Sequence, residues 1–204
     1  MTTRLEIINA MLASVGEQPV SSADSQHPSV ISANEILNKI DRRVQQKGWW
    51  FNTEKALLLS KNLAGEIILP SNTLSVDPCD TASNLVQRGT KLYDRVNHTF
   101  SIGEDVYVDI IVQLPIDELT THAADYIGAY AVYDFYVNDD GDDSKANKYD
   151  RERFDTLAAL KAEHLRNSDL NAINRPAVAA LVSRVRPVSG SVGRFNPTYP
   201  GGRG

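Results

Sequence analysis

The chain has 204 residues, 42% of them apolar, and a formal net charge of −5. It is therefore long and apolar enough for one folded domain, with or without an appendage, and wholesale disorder is excluded. The single cysteine, Cys79, excludes an internal disulfide and multi-cysteine zinc sites, and we expect its side chain to be buried or half-buried.

Hydropathy gives no sign of a membrane segment. No apolar run reaches the length of a membrane span, and no signal core follows the first residues. We therefore expect a chain that is made in a cytosol and has no membrane anchor.

Two amphipathic helices are predicted within residues 1–50. Thr3 and Glu6 have the spacing of a capping box, and Gly16 ends the helix that they open. The apolar side of this first helix consists of Leu5, Ile8, Met11, Leu12 and Val15. The second helix begins at Pro28 or Ser29 and ends near Gly48, because glycine readily adopts the left-handed conformation of a C-terminal cap. Its apolar stripe consists of Val30, Ala33, Leu37, Ile40 and Val44.

Bulky aromatic residues follow the second helix directly. Trp49, Trp50 and Phe51 are too large to be left fully in water, so we expect them to pack in a core or an interface. The stretch Ser32–Thr53 is then the connection that joins the helices to the region after it.

Residues 51–114 have the pattern of strands rather than of a helix. Short apolar or alternating runs are separated by turn residues: Ala56–Leu59, Glu66–Leu69, Thr73–Val76, Leu85–Gln87, Lys91–Tyr93, Thr99–Ile102 and Val106–Val112. In the last run Val108 and Ile110 alternate with Tyr107 and Asp109, which indicates a strand with one half-buried face. The pattern predicts a small, mostly antiparallel β insertion.

Two further helices follow Pro115. The third is predicted from Ile116 to Val137, with an apolar face of Ile127, Tyr130, Tyr133 and Val137. The fourth is predicted from Ser144 to about Arg166, with a stripe of Tyr149, Arg153, Leu157, Leu160 and His164, and with Phe154, Ala158 and Leu165 beside it. The predicted fold is α+β: a bundle of about four helices from residues 1–50 and 115–168, a small antiparallel β domain inserted at 51–114, and an extended C-terminal arm at 169–204.

The arm differs from the rest of the chain in charge. From residue 170 onward there is no acid, and the basic residues are Arg175, Arg184, Arg186, Arg194 and Arg203. Because the whole chain carries −5, residues 1–169 carry −10. We expect the arm to dock on an acidic protein surface, including that of a neighbouring copy. Nucleic acid is the other possible partner, although five spread arginines make a weak footprint.

Motifs of catalysis and cofactor binding are absent from the sequence. The four acidic residues between the third and fourth helices could bind calcium, but they do not have the ligand spacing of an EF-hand. A charged turn between helices is therefore the preferred interpretation of Asp139, Asp140, Asp142 and Asp143. The histidines lie in different elements without forming a ligand pair: His27, His98, His122 and His164. With no nucleophile elbow, P-loop or dinucleotide glycine pattern, we expect no cofactor, no metal site and no catalytic residue.

Three groups of residues leave a binding role open. Trp49 and Trp50 with Glu54 are alternatively a sugar-stacking platform of a glycan-degrading enzyme. The basic residues at the end of the second helix are alternatively phosphate contacts, although the charge of −10 opposes a dedicated DNA-binding surface: Arg42, Arg43 and Lys47. The aromatic residues of the third helix suit either a subunit interface or the core: Tyr126, Tyr130, Tyr133, Phe135 and Tyr136.

The beginning of the chain also carries a family resemblance. It reads VGE-x-PV and then ILNKI-x-R-x-VQ-x-KGWWFN, and the matching positions are Val15, Gly16, Glu17, Pro19, Val20, Ile36 to Ile40, Arg42, Gln45, Gly48, Trp49, Phe51 and Asn52. This pattern resembles the tail tubular protein A family, the head-to-tail adaptors of T-seven-like podoviruses (Autographiviridae). The glycine- and arginine-rich C-terminus departs from that family.

The resemblance implies a structural protein of the virion tail, assembled in the host cytoplasm, and not an enzyme. It implies a homo-oligomeric ring, a dodecamer, held between the portal protein and the tail nozzle protein (tail tubular protein B). Tail fibres attach near the lower junction, and genomic DNA passes through the channel without specific binding. On this interpretation the candidate interface residues are Arg42, Arg43, Tyr130, Tyr133, Tyr136, Arg175, Arg184, Arg186 and Arg194. A tail-associated enzyme acting on capsule or cell-wall polysaccharide is the alternative.

Overall fold

The structure is a computed structural model that describes residues 2–80, 83–139 and 143–173, with side chains up to residue 168. Its helices are α1 (Arg4–Ser14), α2 (Pro28–Gln45), a 3-10 turn (Ile116–Glu118), α3 (Thr121–Asp139) and α4 (Asp143–Ile173). Its strands are β1 (Thr53–Leu59), β2 (Thr73–Pro78), β3 (Leu85–Arg88), β4 (Lys91–Asp94) and β5 (Val106–Val112). The predicted α+β class is confirmed. None of the helices in these ranges is both long and apolar enough to cross a membrane.

The predicted capping box opens α1. The N–H of Glu6 donates to Thr3 Oγ1 at 3.3 Å, and the N–H of Thr3 donates to Glu6 Oε2 at 2.7 Å. Two backbone donors that a helix start leaves unpaired are thereby satisfied. The buried side of the helix includes Ile7, which was not predicted, whereas Leu5 is only half-buried.

The apolar stripe of α2 is confirmed, because all five of its residues are fully buried. Two polar residues beside that stripe, Asp41 and Gln45, are buried as well. The chain turns at Gly48, whose φ is +71°. This φ favours glycine, and a Cβ atom would also lie 2.7 Å from Ile111 Cδ1, so a larger residue would force the Ile111 side chain to shift.

The β region forms two antiparallel sheets. The first has the strand order β1-β5-β2, and the second is the hairpin β3-β4. Two runs predicted as strands, Glu66–Leu69 and Thr99–Ile102, are wrong as strands and form only isolated bridges. Gly65 and Gly103 adjoin these runs with φ in the left-handed region, and the C=O of Gly65 accepts a hydrogen bond from the N–H of Ile102 at 2.8 Å.

Strand β5 has the predicted alternation. Val108, Ile110 and Val112 are buried, whereas Tyr107 faces outward. The expectation for Cys79 is wrong, because this residue is exposed. It lies one residue beyond β2, where its thiol is 3.5 Å from Oδ1 of the outward-facing Asp109.

The apolar face predicted for α3 is partly wrong. Val137 is exposed, and the helix begins at Thr121 rather than Ile116, after the separate 3-10 turn. The buried side instead contains small residues: Ala123, Ala124, Gly128 and Ala131, together with Tyr126, Ile127, Phe135 and Tyr136. Gly128 lies where α3 faces α1, and a Cβ atom there would lie 3.4 Å from Ile7 Cγ1, an ordinary van der Waals distance. A pattern of large apolar side chains does not reveal such a contact.

Helix α4 is longer than predicted and ends at Ile173. Leu160 is fully buried and the other members of its predicted stripe are half-buried. Phe154 and Leu165, predicted to lie beside the stripe, are exposed.

Two hydrophobic cores are present among the described residues. The larger lies between the helices and contains Trp49, while the smaller lies between the sheets around Ile67, Leu92 and Ile110. Leu114 packs against both cores. Both belong to the first of two compact units, Met1–Leu165; the second begins at Arg166 and is described here only as the end of α4. The predicted boundaries at 50/51 and 114/115 stay a prediction, and the predicted arm lies outside the described residues beyond Ile173.

Candidate interface surfaces

A network of polar side chains, named the buried polar network, joins α2 to the β region. It consists of the buried Asp41, Gln45 and Asn52 and the half-buried Gln113. The side-chain amide of Gln45 donates to the C=O of Leu114 at 2.8 Å and accepts from the N–H of Leu114, also at 2.8 Å. The Gln45 side chain thus pairs with both backbone groups of Leu114, as a neighbouring strand would. A helix side chain therefore holds the backbone after β5 in place.

Asn52 closes the other end of the network. Its side-chain N–H₂ donates to the C=O of Gln45 and to the C=O of Val112, each at 2.9 Å, and its oxygen accepts from the N–H of Trp49 at 2.8 Å. One amide thus links the end of α2, the turn after it and the end of β5. Because Asn52 is buried, none of these groups has water as a substitute partner.

Asp41 adds a charged group to this network. Its two carboxylate oxygens accept from Gln45 Nε2 at 2.8 Å and from Gln113 Nε2 at 2.7 Å. Burial raises the pKa of the Asp41 carboxyl, although the hydrogen bonds from Gln45 and Gln113 and the charge of Arg4 act in the opposite direction.

The indole of Trp49 fixes the turn between the two parts. Its side chain is 5% exposed, and Nε1–H donates to the C=O of Val44 at 2.8 Å. His164 of α4 packs edge-on against this ring, with centroids 5.3 Å apart. The turn is therefore held from α2, from the sheet and from α4 together.

A second group of side chains, the tyrosine–arginine cluster, lies on the outside of the helices and consists of Arg43, Tyr130, Tyr133 and Arg153. Arg43 Nη1 donates to the hydroxyl of Tyr130 at 2.8 Å, and Arg43 itself is exposed. The guanidinium carbon of Arg153 lies 4.6 Å from the centroid of the Tyr133 ring and 5.2 Å from that of Tyr130. These distances are typical of cation–π contacts, so the arginines hold two half-buried tyrosines in a fixed, amphipathic surface.

Comparison with known proteins agrees with the resemblance carried by the first helices. A sequence model of the family described as "Tail tubular protein" matches residues 5–170. The chain belongs to the tail tubular protein family.

One relative within that group is tail tubular protein A of Klebsiella phage KP34. It is 29% identical to this chain over 163 residues, which is 80% of this chain and 87% of the relative. Membership makes the chain a structural component of a bacteriophage virion tail.

The structure places the predicted interface residues of this tail tubular protein in different environments. Arg42 and Arg43 are exposed on α2, and Tyr130 and Tyr133 are half-buried on α3. Tyr136 is fully buried and packs against the Tyr149 ring, with centroids 5.2 Å apart, so its side chain belongs to the core of this chain. The remaining predicted interface residues lie outside the described residues: Arg175, Arg184, Arg186 and Arg194.

Other candidate groups from the sequence do not converge on a site. Trp49 is too deeply buried to stack on a sugar, although Trp50 is half-buried and Glu54 is exposed. In the described part of the chain, no three His, Cys, Asp or Glu side chains are grouped so as to hold a metal ion. Asp140 and Asp142 lie outside the described residues, so the calcium interpretation of that turn stays untested.

Sequence reasoning missed two features of the site. Asp41 and Gln45 are polar residues four apart beside the apolar stripe of α2, and this spacing is the signal that they share one buried side. Arg153 was predicted only as a member of a helix stripe, and nothing in the sequence indicates that it covers tyrosines from α3.

Proposed function

We propose that this chain is the head-to-tail adaptor of its phage: a dodecameric ring between the portal protein and the tail nozzle protein, tail tubular protein B. The observation that carries the proposal is the family match over residues 5–170, which includes both hydrophobic cores. The chain then acts without turnover, by presenting symmetric surfaces to neighbouring copies and to the proteins above and below.

The buried polar network supports this role. A ring that connects two other proteins has to transmit position from one side to the other, so the helices and the sheets of each subunit must keep one relative arrangement. Gln45 and Asn52 provide this by hydrogen bonds of 2.8–2.9 Å, of which those of the Asn52 side chain are buried and those between Gln45 and Leu114 are partly buried. A polar connection of this kind favours one geometry, because each donor needs its own acceptor.

The tyrosine–arginine cluster is the candidate contact between subunits. Tyrosine and arginine are enriched at protein interfaces, and the half-buried Tyr130 and Tyr133 keep part of each ring accessible. The exposed Arg42 and Arg43 are cations that suit the acidic surface of a neighbouring copy, whose residues 1–169 carry −10.

The same negative charge suits a channel for DNA. Phosphates are repelled by an acidic wall, so the genome passes without binding to it. In this proposal, tail fibres attach at the junction between the adaptor and the nozzle. The proposed domains of this chain are a helical bundle (1–50 and 115–168), a β insertion (51–114) and an arm (169–204).

The proposal is tested with the full-length chain and its portal protein. We expect analytical ultracentrifugation and negative-stain imaging to show a ring of the adaptor that binds one face of the portal. A monomer or trimer that does not bind portal and that releases reducing sugars from capsule or cell-wall polysaccharide would instead establish the glycan-degrading alternative.

The arm has its own test. Removing the residues after Leu170 takes away all five C-terminal arginines, and we expect weaker ring or portal assembly with an unchanged far-UV circular dichroism signal per residue for the body. Normal rings and normal portal binding after this truncation would show that the arm has no role in assembly.

A further inference from the structure

The hairpin β3–β4 places two basic residues side by side at its end. Arg88 pairs with Lys91, so the strands are connected by the two-residue loop of Gly89 and Thr90. The φ of Gly89 is +62°, which the first position of such a tight loop favours. The loop thereby fixes the positions of Arg88 and Lys91 relative to each other.

An exposed apolar residue lies beside them. Ile67 and Leu92 point into the smaller core, so their neighbours Ile68 and Lys91 point to the outside. Ile68 and Lys91 form a bridge between antiparallel segments, and bridge partners have their side chains on the same side. Ile68 is 56% exposed.

Aromatic contacts hold this outer side together. The guanidinium carbon of Arg88 lies 3.6 Å from the centroid of the Tyr93 ring, and the Phe100 ring meets the same ring edge-on, with centroids 5.0 Å apart. Lys91 Nζ lies 5.9 Å from the centroid of Phe100. We refer to the five side chains as the hairpin face: Ile68, Arg88, Lys91, Tyr93 and Phe100.

The charge of Arg88 is uncompensated on the hairpin face. Lys91 Nζ forms an ion pair with Glu66 at 2.7 Å, whereas the exposed Arg88 forms no ion pair with a described acid. Stacking on Tyr93 uses the flat side of the guanidinium and leaves the N–H groups in its plane available to a carboxylate. Because the stacked side chain is already positioned, it loses less conformational entropy when a partner binds.

We propose that the hairpin face binds a segment of another virion protein in which a carboxylate lies beside apolar side chains. The carboxylate accepts hydrogen bonds from Arg88, and the apolar side chains pack on Ile68 and on Phe100, which is 37% exposed. This inference rests on the proposed adaptor function, under which the chain binds a different protein on each side of the ring.

The distribution of charge favours an acidic partner at this place. Residues 83–100 contain three basic side chains and one acid, and so carry +2, whereas residues 1–169 as a whole carry −10. An acidic segment is therefore attracted here and repelled by most of the remaining surface. The C-terminal part of the chain has no acidic side chain after residue 170 to offer to Arg88. DNA binding needs a row of available cations, but Lys91 beside Arg88 is already paired with Glu66.

A series of substitutions at Arg88 tests the carboxylate. The full-length chain and its variants are titrated against immobilised portal protein and, separately, against immobilised nozzle protein. For at least one of the two we expect the Kd to rise by about threefold in Arg88→Lys, about tenfold in Arg88→Gln and about a hundredfold in Arg88→Glu. Arg95→Glu is the control, because it makes the same change of charge in the turn after β4, where Arg95 Nε donates to the C=O of Asn84 at 3.3 Å. We expect less than about a threefold effect from the control.

The apolar part of the hairpin face is tested separately. Ile68→Ser removes an exposed side chain, so we expect an unchanged melting temperature and about tenfold weaker binding to the same protein. Leu58→Ser is the matched control, since Leu58 is 46% exposed but belongs to β1 of the other sheet. We expect this control to bind as the wild type does.

The outcomes separate this inference from the proposed function. Equal losses in Arg88→Glu and Arg95→Glu, or a loss in Arg88→Glu no larger than in Arg88→Gln, would mean that no carboxylate faces Arg88 and would overturn the inference. The same holds if Arg88→Glu changes only the self-association of the chain in ultracentrifugation, or only its binding to a double-stranded DNA fragment. Unchanged binding in every variant overturns the hairpin face alone, whereas a wild-type chain that binds neither portal nor nozzle protein overturns the proposed function itself.

Discussion

Asn52→Ala is the sharpest test of the buried polar network. The substitution removes three hydrogen bonds of 2.8–2.9 Å, which join the Asn52 side chain to the N–H of Trp49, the C=O of Gln45 and the C=O of Val112. At about 1 kcal/mol for each bond, we expect the free energy of unfolding to fall by about 3 kcal/mol. Because Asn52 is 1% exposed, water does not replace the lost partners without opening the core.

The measurement is equilibrium unfolding in urea, followed by tryptophan fluorescence and circular dichroism at a concentration where centrifugation shows monomer. Linear extrapolation then gives the free energy of unfolding for each variant. Asn72→Ala is the matched control, because this exposed asparagine also donates to a backbone carbonyl after β5, that of Gln113, at 3.1 Å. We expect the control to lose less than about 0.5 kcal/mol. A loss below about 1 kcal/mol in Asn52→Ala would refute the assignment of the network as the connection between helices and sheets.

Three further changes test the same region. Gly48→Ala should destabilise the chain by more than Gly89→Ala. Both glycines have positive φ, but only at Gly48 would a Cβ atom lie 2.7 Å from Ile111 Cδ1. Adding Ile111→Val to Gly48→Ala should therefore recover part of the lost free energy of unfolding, measured by urea titration. Asp41→Asn should reduce the pH dependence of stability. Because the pKa of Asp41 is raised in the folded chain, its stabilising contribution in the wild type is fully present below the ordinary pKa of 3.8 and is lost as the pH rises through the raised pKa. Melting temperatures measured between pH 3.5 and 7 that change in parallel for the variant and the wild type would contradict this. Trp49→Ala should cost about 3–5 kcal/mol as a core truncation, and a loss under about 1 kcal/mol would return Trp49 to the surface residues available for binding.

The network also bears on how the chain would carry load in the proposed adaptor ring. Its hydrogen bonds run from side chains of α2 to backbone groups at the end of β5, so a displacement of the sheets strains α2 directly. The tyrosine–arginine cluster includes Arg43 on the same helix, at a different face from Asp41 and Gln45. Helix α2 thus connects a candidate subunit contact with the attachment of the β region.

The sequence by itself determined which residues are buried wherever burial follows the period of a helix or a strand. The stripe Val30–Val44, the capping box at Thr3 and the alternation along β5 all follow from a repeat set by local backbone geometry, and each was found where it was expected. The family motif ending in Asn52 was also readable, because it lies in one continuous stretch.

Tertiary structure decided the rest, because the relevant partners are distant in sequence. Gln45 is buried because Leu114 approaches it, and the Tyr130 hydroxyl accepts a hydrogen bond because Arg43 lies beside it; neither pairing leaves a periodic signal. Small residues have the same property: Gly128 is buried facing Ile7 of α1, although its hydropathy predicts nothing about that contact. Tyr136, which the sequence left between core and interface, became core only when α4 supplied Tyr149 against its ring.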